Sequence, residues 1–158
     1  MIFVFDEDVL STFSKIKRFD LIPLIFGQSL LLISQAVKKD LENSKSPLFE
    51  PITESGFFKE TSLTKEEKAL CEKIYSEKSL GLGEVECIAI CIKRKAYFVS
   101  NDSRAVKYAE NLDISTINLE TMLCMLKGQI TSQELKDIIE EIETKDKVRI
   151  VNISRLLR

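Results

Sequence analysis

Three short, nearly unbroken apolar runs punctuate the chain: "IFVF" at 2–5, "LLLI" at 30–33 and "AYFVS" at 96–100. Brief runs of β-branched and aromatic residues are expected of strands buried on both faces. Between them the apolar positions recur at helical spacing. "EDVLSTFSKI" sets Val9, Leu10, Phe13 and Ile16 on one side, and Ser34 is placed to cap a helix over "QAVKKDLENS". Thr64 with Glu67 three residues on reads as a capping box opening "KEEKALCEKIYSEK". "GLG" then turns the chain into a helix expected over Glu84 to Lys95. Further helices are predicted over Asp102 to Asn111 and Leu119 to Lys127. A short strand "ISTI" lies between those two, and Gly128 ends the second. Thr131 with Glu134 forms a second capping box, for "SQELKDIIEEIETK". Residues 44–63, with Pro47, Pro51 and Gly56, read mostly as loop with a short strand in "FFKETSL". Strands alternating with helices predict an α/β domain: a central parallel sheet flanked by helices on both faces.

Composition narrows the chemistry more than the fold. The 158 residues suit one domain, 1–158, with 128–158 as its helical C-terminal extension. An apolar fraction of 44% and a charged fraction of 30% are ordinary for a globular protein, and a net charge of −2 announces no nucleic-acid binder by itself. The absence of histidine excludes Ser-His-Asp and Cys-His catalysis and His-ligated zinc. Cys71, Cys87, Cys91 and Cys124 form no CxxC pair and are expected as small buried hydrophobes in a reduced protein. The opening "MIFVFDED" lacks a signal-peptide pattern. The most apolar window, "DLIPLIFGQSLLLISQAV", is too interrupted to span a bilayer. A cytoplasmic protein with no membrane segment is the expectation.

The acids fall at informative places. In doubly wound sheets the active crevice lies beyond the carboxyl ends of the strands. Asp6 directly follows the first run and Asp102 the third. Asp40 lies on the helix after "LLLI", and Glu84 and Glu86 open the helix before "AYFVS". Each has an ordinary reading as a cap, a helix-dipole partner or a solvated side chain. Together, in the order strand–Asp, helix–Asp, helix–Glu, strand–Asp, they would repel one another unless a cation neutralised them. Oxygen donors of this kind suit Mg²⁺ or Mn²⁺.

That order and the local words resemble the PIN domain nucleases, closest to the prokaryotic branch that includes VapC-type toxins. "IFVFDEDVL" is similar to the family's first motif and carries Asp6. "LLLISQAVKKDL" is similar to its strand and V-x-x-E-L helix, mapping the second acid to Asp40. "LGLGEVECIAICIKRK" resembles L-G-x-G-E-A-E-A-I-A-L-A and carries Glu84 and Glu86. "YFVSNDSRAVKYAENLDI" resembles the S/T-x-D strand end with an Arg-bearing helix, giving Asp102 and Arg104. "MLKGQITSQELKDIIEEI" is similar to the helical ending of this branch. The resemblance implies a ribonuclease that hydrolyses phosphodiester bonds of single-stranded RNA with Mg²⁺ or Mn²⁺. Asp6, Asp40, Glu84 or Glu86, and Asp102 would hold the metal. Lys38, Lys39, Arg104 and Lys107 are the candidates for steering the RNA backbone. It also implies a homodimer and, for a toxin, a small antitoxin partner.

Two positions depart from the family pattern. The second acid is Asp rather than Glu, and Glu7 stands where Ser or Thr is usual. Glu84 and Glu86 project ~200° apart on a helix, so they cannot face one site alike; Glu84 ranks first because it follows the glycine turn. The rival readings are a PIN-like module that binds without cleaving, and a haloacid-dehalogenase-like phosphatase with Asp6 as nucleophile and Asp8 as general acid. Dinucleotide binding through "GLGEVE" is disfavoured by Glu86 where a third glycine belongs.

Overall fold

The apolar runs become the middle of a five-stranded parallel sheet. In the computed structural model, which describes residues 1–44, 48–77 (backbone alone at residue 77) and 79–157, β1 is Ile2–Phe5, β2 Leu30–Ser34, β3 Phe58–Thr61, β4 Tyr97–Val99 and β5 Thr116–Ile117. The order is β3-β2-β1-β4-β5, all parallel. Phe3, Val4 and Phe5 of β1 and Phe98 and Val99 of β4 are buried, as central strands covered on both sides require.

Helices α1 (Glu7–Ile16), α2 (Ile22–Phe26), α3 (Gln35–Glu42), α4 (Phe49–Ser55), α5 (Lys65–Glu77), α6 (Leu82–Arg94), α7 (Ser103–Glu110), α8 (Leu119–Met125), α9 (Ser132–Lys145) and α10 (Ile153–Leu157) make the connections and the C-terminal end. The chain runs β1–β2–β3 one way across the sheet and then crosses back to β4 and β5. Right-handed crossovers in opposite directions put helices on opposite faces. That reversal places a topological switch point between β1 and β4.

Several expectations need correction. The segment read mostly as loop contains α4, whose Ile52 is buried in the core. Pro51 sits in the first turn of α4, where its missing N–H is no loss. Pro47, in the same segment, lies outside the described residues. So do Lys78, at the end of the helix predicted after Thr64, and Arg158. Pro23 plays the same first-turn role in α2, which the apolar window gave no sign of. Helix α6 starts two residues earlier than expected, at Leu82, with Gly81 as its cap. Thr64 and Glu67 form a complete capping box, whereas Thr131 makes half of one, because Glu134 binds Arg18 instead. Cys71, Cys87 and Cys91 are buried but Cys124 is exposed.

Candidate active site

The register brings the ends of β1 and β4 level, Phe5 beside Val99. The Asp6 N–H continues the ladder by donating to the Val99 carbonyl at 2.9 Å. Asp6 then caps α1, its Oδ1 accepting from the Glu7 N–H at 2.8 Å. Its Oδ2 accepts from the Ser100 hydroxyl at 3.0 Å. Ser100 Oγ in turn accepts from the Asp102 N–H at 3.1 Å. Asp102 caps α7, holding the Arg104 and Ala105 N–H groups at 2.8 and 3.0 Å on Oδ1. Asp8 accepts from the Val9 and Asn101 N–H groups, both at 2.7 Å.

Helix α6 packs on β1, β2 and β4 and against α3. The approach is close because Gly83 has no side chain. A Cβ there would lie 3.1 Å from Val37 Cγ2 and 3.2 Å from Asp40 Oδ2. Glu84 reaches back one turn, its Oε2 accepting from the Gly81 N–H at 2.8 Å. It therefore caps its helix and borders the same cleft.

That cleft, about 510 Å³, is lined by Asp6, Glu7, Asp8, Asp40, Glu84 and Asp102, together with Arg104, Asn101, Gly81 and Gly83. Val148, from the segment after α9, completes the wall. Asp146 fixes that segment to α1 by accepting from the Thr12 hydroxyl and the Lys15 ammonium. Six carboxylates thus share one concavity with one guanidinium. Arg104 lies 3.7 Å from Asp102 and is largely exposed, and among the described residues no ion pair involves Asp6, Glu7, Asp8, Asp40 or Glu84.

The electrostatic result follows. Burial, reinforced by the Asp8 charge, pushes the Asp6 carboxyl up to about 7. Burial raises Asp8 to about 6, with Asp102 and Glu84 adding to the effect. Glu7 is also raised, by burial and by Asp40. Carboxyls raised chiefly by burial and further by neighbouring acids are a setting that a cation relieves.

The predicted residues do not all meet. Asp6, Asp40, Glu84, Asp102 and Arg104 line the cleft, and Glu86 does not. Its Oε2 accepts from the Ala36 N–H at 2.9 Å, satisfying the N-terminus of α3. Lys38 pairs with Glu60 on β3 at 2.8 Å and lies over the Phe49 ring, outside the cleft, and Lys39 and Lys107 are exposed outside it too. Asp8 and Glu7 join the lining; sequence reading had Asp8 only as the acid of the phosphatase alternative. Its D-x-D spacing from Asp6 was the available signal. Nothing local pointed to Val148.

The donor set fits a hard divalent cation in kind, since every donor is oxygen. Among the described residues no three acids stand as a preformed cage. Mg²⁺ asks for less than that: it keeps several waters and takes one or two carboxylates together with substrate phosphates.

Comparison with known proteins places the chain. A family model described as a PIN domain matches residues 2–153, so the chain belongs to the PIN domain family. That membership sets aside the phosphatase reading. Solved structures share its fold, two of them VapBC proteins. One is VapBC2 from Rickettsia felis bound to a DNA fragment from their promoter, with TM-score 0.55 and 13% identity. The other is VapBC-1 from nontypeable Haemophilus influenzae, with TM-score 0.56 and 9% identity. Each alignment covers 75% of this chain and 98% of the other. A search of curated proteins finds no match. Among the described residues no helix is long and apolar enough to cross a membrane.

Proposed function

We propose that this PIN domain is a Mg²⁺- or Mn²⁺-dependent endoribonuclease acting on single-stranded RNA in the cytoplasm. The observation that carries the reading is the cleft at the β1/β4 switch point, where six carboxylates gather with almost no protein counter-charge. A purely structural cleft would gain stability by pairing or losing those charges.

Asp6 and Asp102 are the ligands best held, each fixed by backbone hydrogen bonds at a strand end and joined through Ser100. Asp40 and Glu84 face them from α3 and α6. When bound, the metal supplies an acidified water and neutralises charge at the phosphoryl group. Arg104, exposed at the rim, is placed to meet an RNA phosphate. Lys39 and Lys107, exposed outside the cleft, remain candidates for steering the RNA backbone, and Lys38 contributes less because Glu60 already holds it. In the toxin reading, a small antitoxin binds the domain and blocks this acidic cleft, and the domain works as a homodimer.

Cleavage of labelled single-stranded RNA in Mn²⁺, Mg²⁺ or EDTA, with Asp102→Asn in parallel, tests the proposal. Metal-dependent cleavage that drops by about 100-fold or more in the variant supports it, since even ligand-supporting residues typically account for 10–100-fold. A folded wild-type protein that cleaves with neither metal overturns it in favour of a PIN module that binds without cutting.

A further inference from the structure

The turns that present Asp6 and Asp102 come from segments almost a hundred residues apart, and Asp8 spans them in addition to the Ser100 hydroxyl and the Asp6 N–H bond to the Val99 carbonyl. Asp8 Oδ1 accepts from the Val9 N–H in its own turn and Oδ2 from the Asn101 N–H in the β4–α7 turn, both at 2.7 Å. Asn101 is exposed and lies beyond the end of β4. Without Asp8 its N–H would face water.

We propose that Asp8 is the positioning residue of the cleft: by spanning the Val9 and Asn101 amides it fixes the β1–α1 turn against the β4–α7 turn and sets the separation of Asp6 and Asp102. The functional half rests on the metal-dependent reading above; the clamp itself does not. A carboxylate is required, because it accepts on both oxygens, whereas an amide offers one acceptor and one donor and would set N–H against N–H at one end. Without that carboxylate, Asp6 is coupled to the end of β4 and the Asp102 turn by the Ser100 hydroxyl and its own N–H to the Val99 carbonyl. Glu7 provides the matching control. It brings the same charge to the same cleft, and no described hydrogen bond of its carboxylate joins the two turns.

Two readouts separate positioning from charge. The first is amide hydrogen exchange at Asn101 by NMR, in wild type, Asp8→Asn and Glu7→Gln. The second is Mn²⁺ affinity of the same three proteins by calorimetry. The clamp predicts a protected Asn101 amide in wild type and Glu7→Gln, exchanging at least about tenfold faster in Asp8→Asn. Positioning predicts a Mn²⁺ affinity reduced ~10–100-fold in Asp8→Asn and far less in Glu7→Gln. An unprotected Asn101 amide in wild type overturns the clamp outright, even if the Asp8 variant does not fold. Equal losses of Mn²⁺ affinity in the two variants overturn positioning and leave Asp8 as charge alone. Failure of wild type to bind Mn²⁺ sinks the metal reading and with it the functional half, while the exchange result still decides the clamp.

Discussion

Glu67 and Asp6 are both buried carboxylates, at 1% and 6% exposure, and the protein treats them in opposite ways. Glu67 is gripped by the Arg94 guanidinium through two bonds, of 2.7 and 2.8 Å, and accepts from the Thr64 N–H at 2.8 Å. Arg94 goes on to Thr61 Oγ1 and the Ser62 carbonyl, tying β3, α5 and α6 together. The Arg94 bonds hold the Glu67 carboxyl below its usual range. Asp6 has hydrogen bonds but no cation among the described residues, and its nearest charged influences are acids. The sheet supports an acid it uses for architecture with a counter-charge. It withholds one from the acid at the switch point.

The largest effect is expected from breaking the satisfied site. Arg94→Leu strands a buried carboxylate, which costs about 3 kcal/mol of stability on the scale of broken buried pairs, reduced somewhat because Arg94 is one-quarter exposed. Denaturant unfolding reads this directly, and adding Glu67→Leu should restore part of the loss. A neutral result for Arg94→Leu alone would erase the contrast between Glu67 and Asp6.

Asp6→Asn should move stability the other way. At pH 8 in EDTA it removes an unneutralised charge while keeping an acceptor for the Glu7 N–H, a gain on the order of 1–3 kcal/mol. Wild type should show the same imbalance in its pH profile. An acid raised from about 4 unfolded to about 7 folded binds its proton more tightly in the native state. Asp6 and Asp8 therefore add stability that is complete below about pH 4 and is lost as pH rises through about 6 and 7. Glu67, with the opposite displacement, loses its contribution only as pH falls below the ordinary carboxylate range. The metal-free melting temperature should thus decline between pH 5 and 8, and the slope should flatten in Asp6→Asn. Mn²⁺ should also flatten it in wild type but not in the variant. A flat profile in metal-free wild type would show that the cleft carboxylates carry no such strain.

Much of the architecture was legible because central parallel strands are written as continuous apolar runs, and β1, β2 and β4 are such strands. The edge strand β3 exposes Lys59 and Glu60, so only part of its pattern is apolar. Helices α2 and α4 hid behind prolines that sit in first turns, where proline starts helices as readily as it stops them. In the cleft, the strand-end acids were visible because a strand followed by Asp and a helix is a local signal. Choosing between Glu84 and Glu86 was beyond local reading. Helical spacing gives the angle between two side chains, not which of them faces the sheet edge, and here Glu86 turns to the Ala36 amide. Asp8 looked like any acid in a helix's first turn, since its partner is an amide at Asn101.

The smallest effect on stability should come from Gly83→Ala, and it tests whether the cleft tolerates crowding that the rest of the fold would absorb. Alanine in place of a helical glycine gains up to about 1 kcal/mol, less in a first turn than in a helix interior. Against that, the added methyl would sit 3.1 Å from Val37 Cγ2 and 3.2 Å from Asp40 Oδ2, so one of them must yield by a few tenths of an ångström. Val37 is fully buried and Asp40 is exposed, so Asp40 is the group that moves. Net stability should then stay within about 1 kcal/mol of wild type while Mn²⁺ affinity and RNA cleavage fall together. Unchanged affinity in a stable Gly83→Ala protein would remove Asp40 from the metal site and leave Gly83 as a packing residue between α3 and α6.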